Sequence, residues 1–286
     1  MTPKLPIAAI TDEYSMDLNQ ALDAMQATGM TGAELRMIGG KNILDLTDAE
    51  LDRAIEACRT RGMEIVSIAS PLLKCVLPGG PEIDPRFQQD VFGAVHTYED
   101  QPRLADRAFA IARRTGARII RVFSFWRTVE PEKCHDGIVK ALTELADKAK
   151  AENLIIGLEN EHACNVATGA ETARIMAAVD HPNLKIVWDP ANALVAGENP
   201  YPEGYEKLPK HRIAHVHAKD CHMEGNKPVW GPLGTRAVDW HGQIRALLRD
   251  GYKGYLSLET HWPGPAGDKF MASVICGWNL RGLAAA

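Results

Sequence analysis

Short apolar runs that could each form one buried strand alternate with helical segments along the 286-residue chain. Eight runs are predicted as strands, at residues 7–10, 32–36, 64–69, 117–125, 155–159, 184–189, 214–217 and 255–259. Strands that alternate with helices at these intervals pair in parallel through right-handed crossovers. Eight such units fit a closed barrel, so the pattern predicts one α/β domain, a single-domain (β/α)8 TIM barrel over residues 1–286.

An open, doubly wound sheet is the competing arrangement of alternating strands and helices. Its dinucleotide-binding form carries a GxGxxG motif after the first strand, and the sequence has no such motif after residues 7–10. Two connections, residues 70–101 and 221–239, are long and irregular, and the first is rich in Pro and Gly. A loop as long as the first is usually functional in a compact domain. These observations favour the closed barrel.

Charge and cysteine usage disfavour several classes of protein. The chain has 32 basic and 37 acidic residues, a net charge of −5, so nothing in the total attracts a polyanion and we expect no nucleic-acid partner. Its six cysteines form no CxxC pair, which is typical of free thiols in a reducing compartment. Without an apolar leader or an 18-residue apolar stretch, we expect a cytoplasmic protein with no membrane partner.

Four of the later strands end in a side chain that can bind a metal ion. These residues are Glu159, Asp189, His217 and Glu259, at intervals of 30, 28 and 42 residues. Because the C-terminal ends of barrel strands converge at one mouth, we expect the four side chains to meet there. A single carboxylate after a strand is more often a helix cap or a surface charge. Several carboxylates that converge without a cation would repel one another, so the set as a whole favours a metal site.

The ligand types indicate which ion the site would prefer. Three carboxylates and one imidazole form an oxygen-rich set, which favours Mn²⁺, Mg²⁺ or Co²⁺ over a metal that prefers thiolates. One Mn²⁺ is the leading prediction, and Zn²⁺ is an alternative. His215 competes with His217 as the imidazole ligand, since strand alternation points both side chains in the same direction. His217 is preferred because it lies nearer to the C-terminal end of its strand.

The segments GLENEH, WDPAN, HVHAKD and GYLSLETH, together with ELR, SPLLK, PLG and VDW, resemble the xylose-isomerase-like TIM-barrel superfamily of sugar phosphate isomerases and epimerases. The resemblance covers nearly the whole chain through the order and spacing of these segments. It implies one divalent ion held by Glu159, Asp189, His217 and Glu259. In the ketose 3-epimerases of this superfamily two metal-bound glutamates transfer the proton, so the resemblance implies catalytic roles for Glu159 and Glu259.

This chemistry is physically coherent. A metal that holds a ketose carbonyl and its neighbouring hydroxyl acidifies the adjacent C–H bond, so one carboxylate can remove the proton while the other delivers one from the opposite face. The leading prediction is therefore a divalent-metal-dependent isomerase or epimerase of a small sugar, keto-sugar or sugar phosphate. A small-molecule sugar is the expected partner, and a homo-oligomer is an expectation from the class.

Further residues near the strand ends are predicted to bind the substrate: His162, Asn192, Lys219, Arg236, His261, Arg121 and Trp126. The histidines and the lysine can hydrogen-bond sugar hydroxyls, and Trp126 can form an apolar wall. One of the three cations Arg36, Lys74 and Arg121 is expected to meet an anionic substrate. Arg236 with two nearby glycines could form a phosphate-binding nest, for which a simple turn is the alternative.

Three other functions remain open from the sequence. Relatives with the same metal set include dehydratases of keto-inositols and lyases, which also abstract an α-proton but then expel a leaving group. Asn192 stands where the ketose epimerases carry a histidine, which leaves room for such a lyase. Zinc-dependent abasic-site endonucleases share the barrel, but they need several more histidines. A non-catalytic sugar-binding protein on the same scaffold is the last alternative.

Overall fold

The computed structural model describes residues 4–87 and 96–285. Within these ranges eight parallel strands form a closed barrel in the order β1-β8-β7-β6-β5-β4-β3-β2. The strands are β1 (Ile7–Ile10), β2 (Gly32–Leu35), β3 (Glu64–Leu72), β4 (Ile119–Val122), β5 (Ile155–Glu159), β6 (Leu184–Trp188), β7 (Ile213–Ala218) and β8 (Leu256–Leu258). Each strand pairs with the strands that precede and follow it in sequence, and β8 closes the barrel against β1. The predicted (β/α)8 barrel is confirmed.

Helices surround the barrel and connect its strands. They are α1 (Leu18–Ala27), α2 (Asp48–Thr60), α3 (Gln101–Thr115), α4 (His135–Ala151), α5 (Gly169–Ala178), α6 (Pro190–Val195), α7 (Tyr205–Lys207), α8 (Trp240–Arg249) and α9 (Lys269–Ala285). The sequence locates the start of α2 because Thr47 and Glu50 form a capping box, in which each side chain bonds the other's backbone N–H. Trp188 at the end of β6 points into the helical layer, as alternation predicts, and its Nε1 donates to Gln243 of α8.

The register between neighbouring strands places polar side chains of the barrel interior at the same level. His217 of β7 is level with Ser257 of β8, and Glu34 of β2 is level with Ser67 of β3. All four residues are fully buried. Since parallel strands end at a common edge, these residues and the residues just beyond them converge at the C-terminal mouth of the barrel.

The bounds of six strands differ from the prediction, four of them by one residue at one or both ends, and β3 and β4 differ most. Strand β3 continues to Leu72, three residues beyond the predicted end, while β4 ends at Val122 instead of residue 125. The chain leaves β4 in an irregular conformation, because Phe125 has a left-handed backbone with a φ of 62° and cannot continue a strand. The C-terminal end of β3 therefore borders the mouth more closely than the sequence predicts.

The two long connections contain local structure. Residues 221–239 include an antiparallel hairpin of Cys221–Glu224 with Lys227–Trp230, which we call the mouth hairpin. A smaller hairpin pairs Met37–Ile38 with Lys41–Asn42. Of the other long connection, residues 88–95 lie outside the described residues. Over the described ranges, no helix combines the length and the apolar character that crossing a bilayer requires.

Candidate metal centre and active site

The four predicted metal ligands come together at the C-terminal mouth of the barrel. Donor atoms of Glu159, Asp189, His217 and Glu259 all lie within 4.8 Å of one another. All four side chains are buried, the most exposed being Glu259 at 5%. Nδ1 of His217 lies 3.0 Å from Oε1 of Glu159, 3.4 Å from Oε2 of Glu259 and 4.0 Å from Oδ2 of Asp189. Nδ1 of the imidazole therefore faces all three carboxylates.

The position of Asp189 shows how secondary structure aims one ligand oxygen. Asp189 caps the N-terminus of α6, and its Oδ1 accepts the backbone N–H of Asn192 at 2.9 Å. The cap fixes the carboxylate, so Oδ2 points toward the other ligands and has no hydrogen-bond partner among the described residues. One carboxylate thus caps α6 with Oδ1 and faces the cluster with Oδ2, which lies 2.9 Å from Nζ of Lys219.

His217 is held by a second buried carboxylate behind it. Its Nε2 lies 3.0 Å from Oε2 of Glu34, and the same oxygen accepts a hydrogen bond of 2.6 Å from Ser257 Oγ. Nε2 of His215 is also 3.0 Å from this oxygen. A carboxylate behind a metal-binding imidazole fixes its tautomer and ring orientation, which leaves Nδ1 of His217 free to face the cluster. His215 belongs to a separate group with Glu34, away from the other three predicted ligands.

Lys219 supplies a buried positive charge to the cluster. Its Nζ lies 2.9 Å from Oδ2 of Asp189 and 2.9 Å from Oε2 of Glu259. On the other side of Glu259, Arg36 donates to Oε1 at 3.0 Å, and the same guanidinium also binds Asp12 and Glu13. These cations compensate for part of the carboxylate charge that the barrel mouth concentrates.

The pKa values reflect this crowding. Burial, reinforced by the charges of Glu259 and Glu159, raises the pKa of Asp189 to about 6 against the opposing effect of Lys219. Burial lowers the pKa of His217, but the charges of Glu159 and Glu34 outweigh it and raise that pKa well above its ordinary value. Burial is the largest cause of the raised pKa of Asp189, and a bound cation would favour its ionised form.

The residues present fit a divalent cation. Oε2 of Glu159 and Oδ2 of Asp189 are buried oxygens without hydrogen-bond partners among the described residues, although Arg121 and Lys219 lie close to them. Ligand atoms on opposite sides of an ion with bonds of about 2.1–2.4 Å are roughly 4.2–4.8 Å apart, which agrees with the span of this cluster. The donor set of three carboxylates and one imidazole suits Mn²⁺, Mg²⁺, Co²⁺ or Zn²⁺.

A cavity of about 650 Å³ opens at the mouth beside this cluster. Three of the predicted substrate-binding residues, His162, His261 and Arg121, line it together with Glu259. The ring of His261 lies 4.6 Å from the ring of Trp230 in the mouth hairpin. The cavity is large enough for a small sugar, since ligand sites usually measure about 300–1,000 Å³.

Two other predicted substrate-binding residues support the site from behind. The side-chain oxygen of Asn192 accepts a hydrogen bond from Nδ1 of His162 at 2.9 Å, and the Nδ2 of Asn192 lies 3.4 Å from Oε1 of Glu159. Lys219 contacts the ligand cluster as described above. Their predicted roles toward the substrate stay predictions, but the structure connects both residues directly to the predicted metal ligands.

Trp126 and Arg236 lie apart from the cavity lining. Trp126 packs against Phe123, Ala163 and Cys164, and it is Phe123 whose ring borders the cavity. The backbone amides of Gly234, Arg236 and Val238 surround the carboxylate of Asp220 at 2.9–3.1 Å. The nest predicted around Arg236 is therefore filled by this protein's own carboxylate, and the Arg236 side chain is exposed. A phosphate site in this loop has no support from the structure.

Sequence reasoning missed several residues of the site. Glu34 was overlooked, although a carboxylate inside the apolar run GAEL was a signal that the barrel interior is polar at that level. Glu13 was overlooked as well; it is buried beside Arg36 and forms a third group with Glu259 and His261. Trp230 and Phe123 gave no signal, because only the folded hairpin and loop bring their rings to the cavity.

Fold and site together define a parallel barrel whose C-terminal mouth carries a buried carboxylate–histidine cluster suited to a divalent ion. The model of the xylose isomerase-like TIM barrel family matches residues 22–274. The chain belongs to this family, which confirms the resemblance seen in the sequence. A comparison with curated protein sequences finds no match.

Solved structures with the same fold are similar to this chain only at low sequence identity. The probable 3-DHS dehydratase AsbF from Bacillus anthracis has a TM-score of 0.69 at 19% identity, over 94% of this chain and 97% of its own. The IolI protein, solved with a zinc atom, has a TM-score of 0.73 at 18% identity, and the match covers 98% of both chains. D-Allulose 3-epimerase from Methylomonas sp. has a TM-score of 0.71 at 16% identity, and the match covers 98% of this chain and 97% of the epimerase.

One longer match is a xylose isomerase-like TIM barrel/4-hydroxyphenylpyruvate dioxygenase fusion protein. It is 21% identical with a TM-score of 0.70, and the match covers 95% of this chain but only 41% of the fusion protein. At these identities the likenesses show the fold alone.

Proposed function

We propose that this protein is a divalent-metal-dependent isomerase or epimerase of a small sugar or keto-sugar. The observation that carries the proposal is the convergence of Glu159 and Glu259 on His217, with one oxygen of each within 3.4 Å of its Nδ1. Two carboxylates that reach one point from different strands can serve as an acid–base pair on one substrate. The similarity to D-allulose 3-epimerase supports this class of reaction.

Glu159, Asp189, His217 and Glu259 would hold the ion. When bound, it would supply Lewis-acid polarisation of a carbonyl and its neighbouring hydroxyl. Mn²⁺ is the ion we propose, although the IolI structure carries zinc. The metal content of protein loaded with Mn²⁺ and desalted tests this part of the proposal. About one ion per chain, lost in an Asp189→Asn, His217→Ala double variant, is expected, and three retained zinc ions would favour a nuclease instead.

The chain's own residues provide the proton transfers. In this proposal one of Glu159 and Glu259 takes the proton from the carbon beside the carbonyl, and the other returns a proton from the opposite face. Arg36 and Lys219 hold the two oxygens of Glu259 at 3.0 and 2.9 Å, so that carboxylate is fixed in direction and kept ionised.

Deuterium exchange tests the proton transfers. In D₂O, the Mn²⁺-loaded protein should exchange the proton adjacent to the carbonyl of a ketose substrate, as followed by NMR across a panel of ketoses. Glu159→Gln and Glu259→Gln should each lower the exchange rate by at least about a hundredfold without loss of fold. Glu224→Gln, in the exposed part of the mouth hairpin, is the matched control and should leave the rate unchanged. Wild-type exchange in both site variants would refute the mechanism.

A lyase that expels water from a keto-sugar is the second candidate. The observation that favours it is His162, which lines the cavity and whose Nδ1 is bonded to Glu161 and Asn192. A third acid–base group at the cavity is unnecessary for simple inversion, but it could protonate a leaving hydroxyl. The same NMR experiment separates the two reactions, because a lyase would convert the substrate to an unsaturated product instead of its epimer.

A further inference from the structure

We propose that the substrate carries an anionic group, a carboxylate or a phosphate, and that Lys74 and Arg121 bind this group at the cavity wall. The inference deepens the proposed function and rests on it, since it concerns the substrate of the same site. It is carried by the charge balance of the cavity, by the surroundings of the two cations and by the backbone that presents Lys74.

The cavity is lined by more cationic than anionic side chains. Among the described residues, its lysines and arginines are Arg36, Lys74, Arg86, Arg121 and Lys227, and its carboxylates are Glu161 and Glu259. A cavity with this excess of positive charge attracts an anion and raises its local concentration. The protein as a whole has a net charge of −5, so the excess is a local property of this wall.

Several of these charges are already neutralised by the protein. Arg36 binds Asp12, Glu13 and Glu259. Arg86 forms an ion pair with Asp84 at 2.5 Å and lies on the exposed rim. Glu161 faces His162, whose Nδ1 is 3.0 Å away. Lys227 is exposed on the mouth hairpin, where water screens its charge. Lys74 remains without an ion pair among the described residues, and Arg121, which pairs with Glu159 at 3.3 Å, keeps its Nε without a hydrogen-bond partner.

Lys74 has no carboxylate within 4.0 Å among the residues that the structure describes. Its Nζ lies 4.7 Å from the ring centre of Phe123 and 5.5 Å from that of Trp126. Two aromatic rings hold the side chain in place without neutralising it, and they displace part of its hydration. The charge of Lys74 helps to lower the pKa of Glu161, but that carboxylate lies beyond ion-pair distance. A cation that is positioned without a close ion pair is suited to bind an anion from solution.

Arg121 completes the anion site from the neighbouring strand. Its guanidinium is 5% exposed and also lies over Phe123, 4.7 Å from the ring centre. One terminal nitrogen is 3.3 Å from Glu159, and the other donates to the carbonyl of Ala69 at 3.1 Å. Its Nε is buried without a hydrogen-bond partner in the described part of the chain. The ring of Phe123 thus lies against two cations, Lys74 and Arg121. Nε of Arg121 is a buried donor that has no hydrogen-bond partner among the described residues.

The backbone next to Lys74 adopts an unfavourable conformation. Leu73, which precedes it, has a left-handed backbone with a φ of 63°, and so does Phe125 at 62°. The two residues are joined because the N–H of Phe125 donates to the carbonyl of Leu73 at 2.8 Å. Left-handed conformations of residues other than glycine are strained and are concentrated at functional sites. The paired turns place Lys74 at the cavity wall.

Binding of three keto-sugars to the Mn²⁺-loaded protein tests the inference. D-Fructose is neutral, 5-keto-D-gluconate carries a carboxylate, and D-fructose 6-phosphate carries a phosphate. Isothermal titration calorimetry should show that one of the two anions binds at least about tenfold more tightly than D-fructose, as one charge-assisted hydrogen bond implies. Whichever anion is preferred identifies the substrate group.

Variants of Lys74 locate the site. Lys74→Met should remove most of the preference for the anion, about tenfold, while the affinity for D-fructose stays the same. Lys74→Arg retains the charge and should restore the preference, which a merely structural role of the lysine would not explain. Lys150→Met removes the same charge from an exposed position on α4 and is the matched control. Lys74 is the better target, because Arg121 also contacts Glu159.

Equal binding of all three keto-sugars would overturn the inference, and so would an anion preference that survives Lys74→Met in protein with unchanged thermal stability and Mn²⁺ content. Deuterium exchange reports separately on the proposed function. Exchange on D-fructose without any anion preference would leave the isomerase or epimerase intact and refute the anion site. A binding preference for an anion that depends on Lys74, without deuterium exchange on any of the three keto-sugars, would support the anion site and count against the isomerase or epimerase.

Discussion

Glu34 and His217 are 183 residues apart in the chain, yet Oε2 of the glutamate lies 3.0 Å from Nε2 of the imidazole inside the barrel. This contact fixes which ring nitrogen of His217 faces the other predicted ligands. Because Ser257 and His215 converge on the same carboxylate oxygen, Glu34 is the centre of the layer that supports the candidate metal site.

We therefore expect Glu34→Gln to weaken binding of Mn²⁺ by about 10–100-fold, the usual effect of losing a residue that orients a metal ligand. The amide lacks the charge that stabilises the Nε2–H tautomer of His217. Calorimetric titration of the metal-free protein with Mn²⁺ measures the change. Glu64→Gln, at the solvent-exposed start of β3, is the control. Unchanged affinity in a folded Glu34→Gln variant would show that the support is dispensable.

Lys219 should substitute in part for the metal when no ion is bound. Its ammonium lies 2.9 Å from both Asp189 and Glu259, so Lys219→Met leaves two buried carboxylates without their nearest cation. Breaking such a buried pair costs about 3–5 kcal/mol. We expect the metal-free variant to melt at a lower temperature than the wild type and to gain more stability on addition of Mn²⁺. Calorimetric scans with and without Mn²⁺ check this, and an equal gain in both proteins would contradict it.

The pKa of His162 should lie above its ordinary value of 6.5. Burial lowers this pKa, but the charge of Glu161 and the hydrogen bonds that the imidazole donates to Glu161 and Asn192 outweigh burial and raise it. The protonated pair therefore stabilises the fold fully below pH 6.5, and this contribution is lost as the pH rises through the folded-state pKa. Histidine NMR titration reads the midpoint directly. Glu161→Gln should lower the midpoint, whereas a wild-type midpoint at or below 6.5 would refute the expectation.

Gly169 at the start of α5 should tolerate no side chain. A Cβ placed there would lie 2.3 Å from the backbone oxygen of Gly204, and backbone cannot move aside as a flexible side chain can. We expect Gly169→Ala to destabilise the protein by about 1–3 kcal/mol in chemical denaturation. Gly282 in α9 has nothing within 4 Å of its Cβ position, so Gly282→Ala should be neutral or slightly stabilising. Equal stability of the two variants would contradict the close approach.

Part of the site could be predicted because the barrel fold itself positions the residues that end its strands. Once alternating strands and helices indicate a parallel barrel, every residue that ends a strand is at one mouth, whatever its distance along the chain. That rule was sufficient to bring Glu159, Asp189, His217 and Glu259 together in the prediction, and the structure groups the same four. Ile155–Glu159 was predicted with its observed bounds, because a short apolar run that ends in a carboxylate gives a clear signal.

Other features depend on which side chains meet across the fold. Asp220 fills the nest near Arg236 because the loop after β7 folds back on it, and sequence spacing cannot show that a carboxylate already occupies those amides. The choice of His217 over His215 depends on which imidazole Glu34 turns toward the other ligands.

The sequence by itself determined the architecture and the four metal-competent side chains that meet at the mouth, since hydrophobic periodicity and the identity of strand-end residues are local properties that a parallel barrel brings to one place. Only the tertiary structure decided how the charges of that site are balanced. Lys219 lies within the ligand cluster, while Lys74 and Arg121 lie over Phe123 without full pairing, and these relationships arise from distances between side chains on different strands and loops. Electrostatic energy depends on those distances and on burial, neither of which is written in the order of residues along the chain.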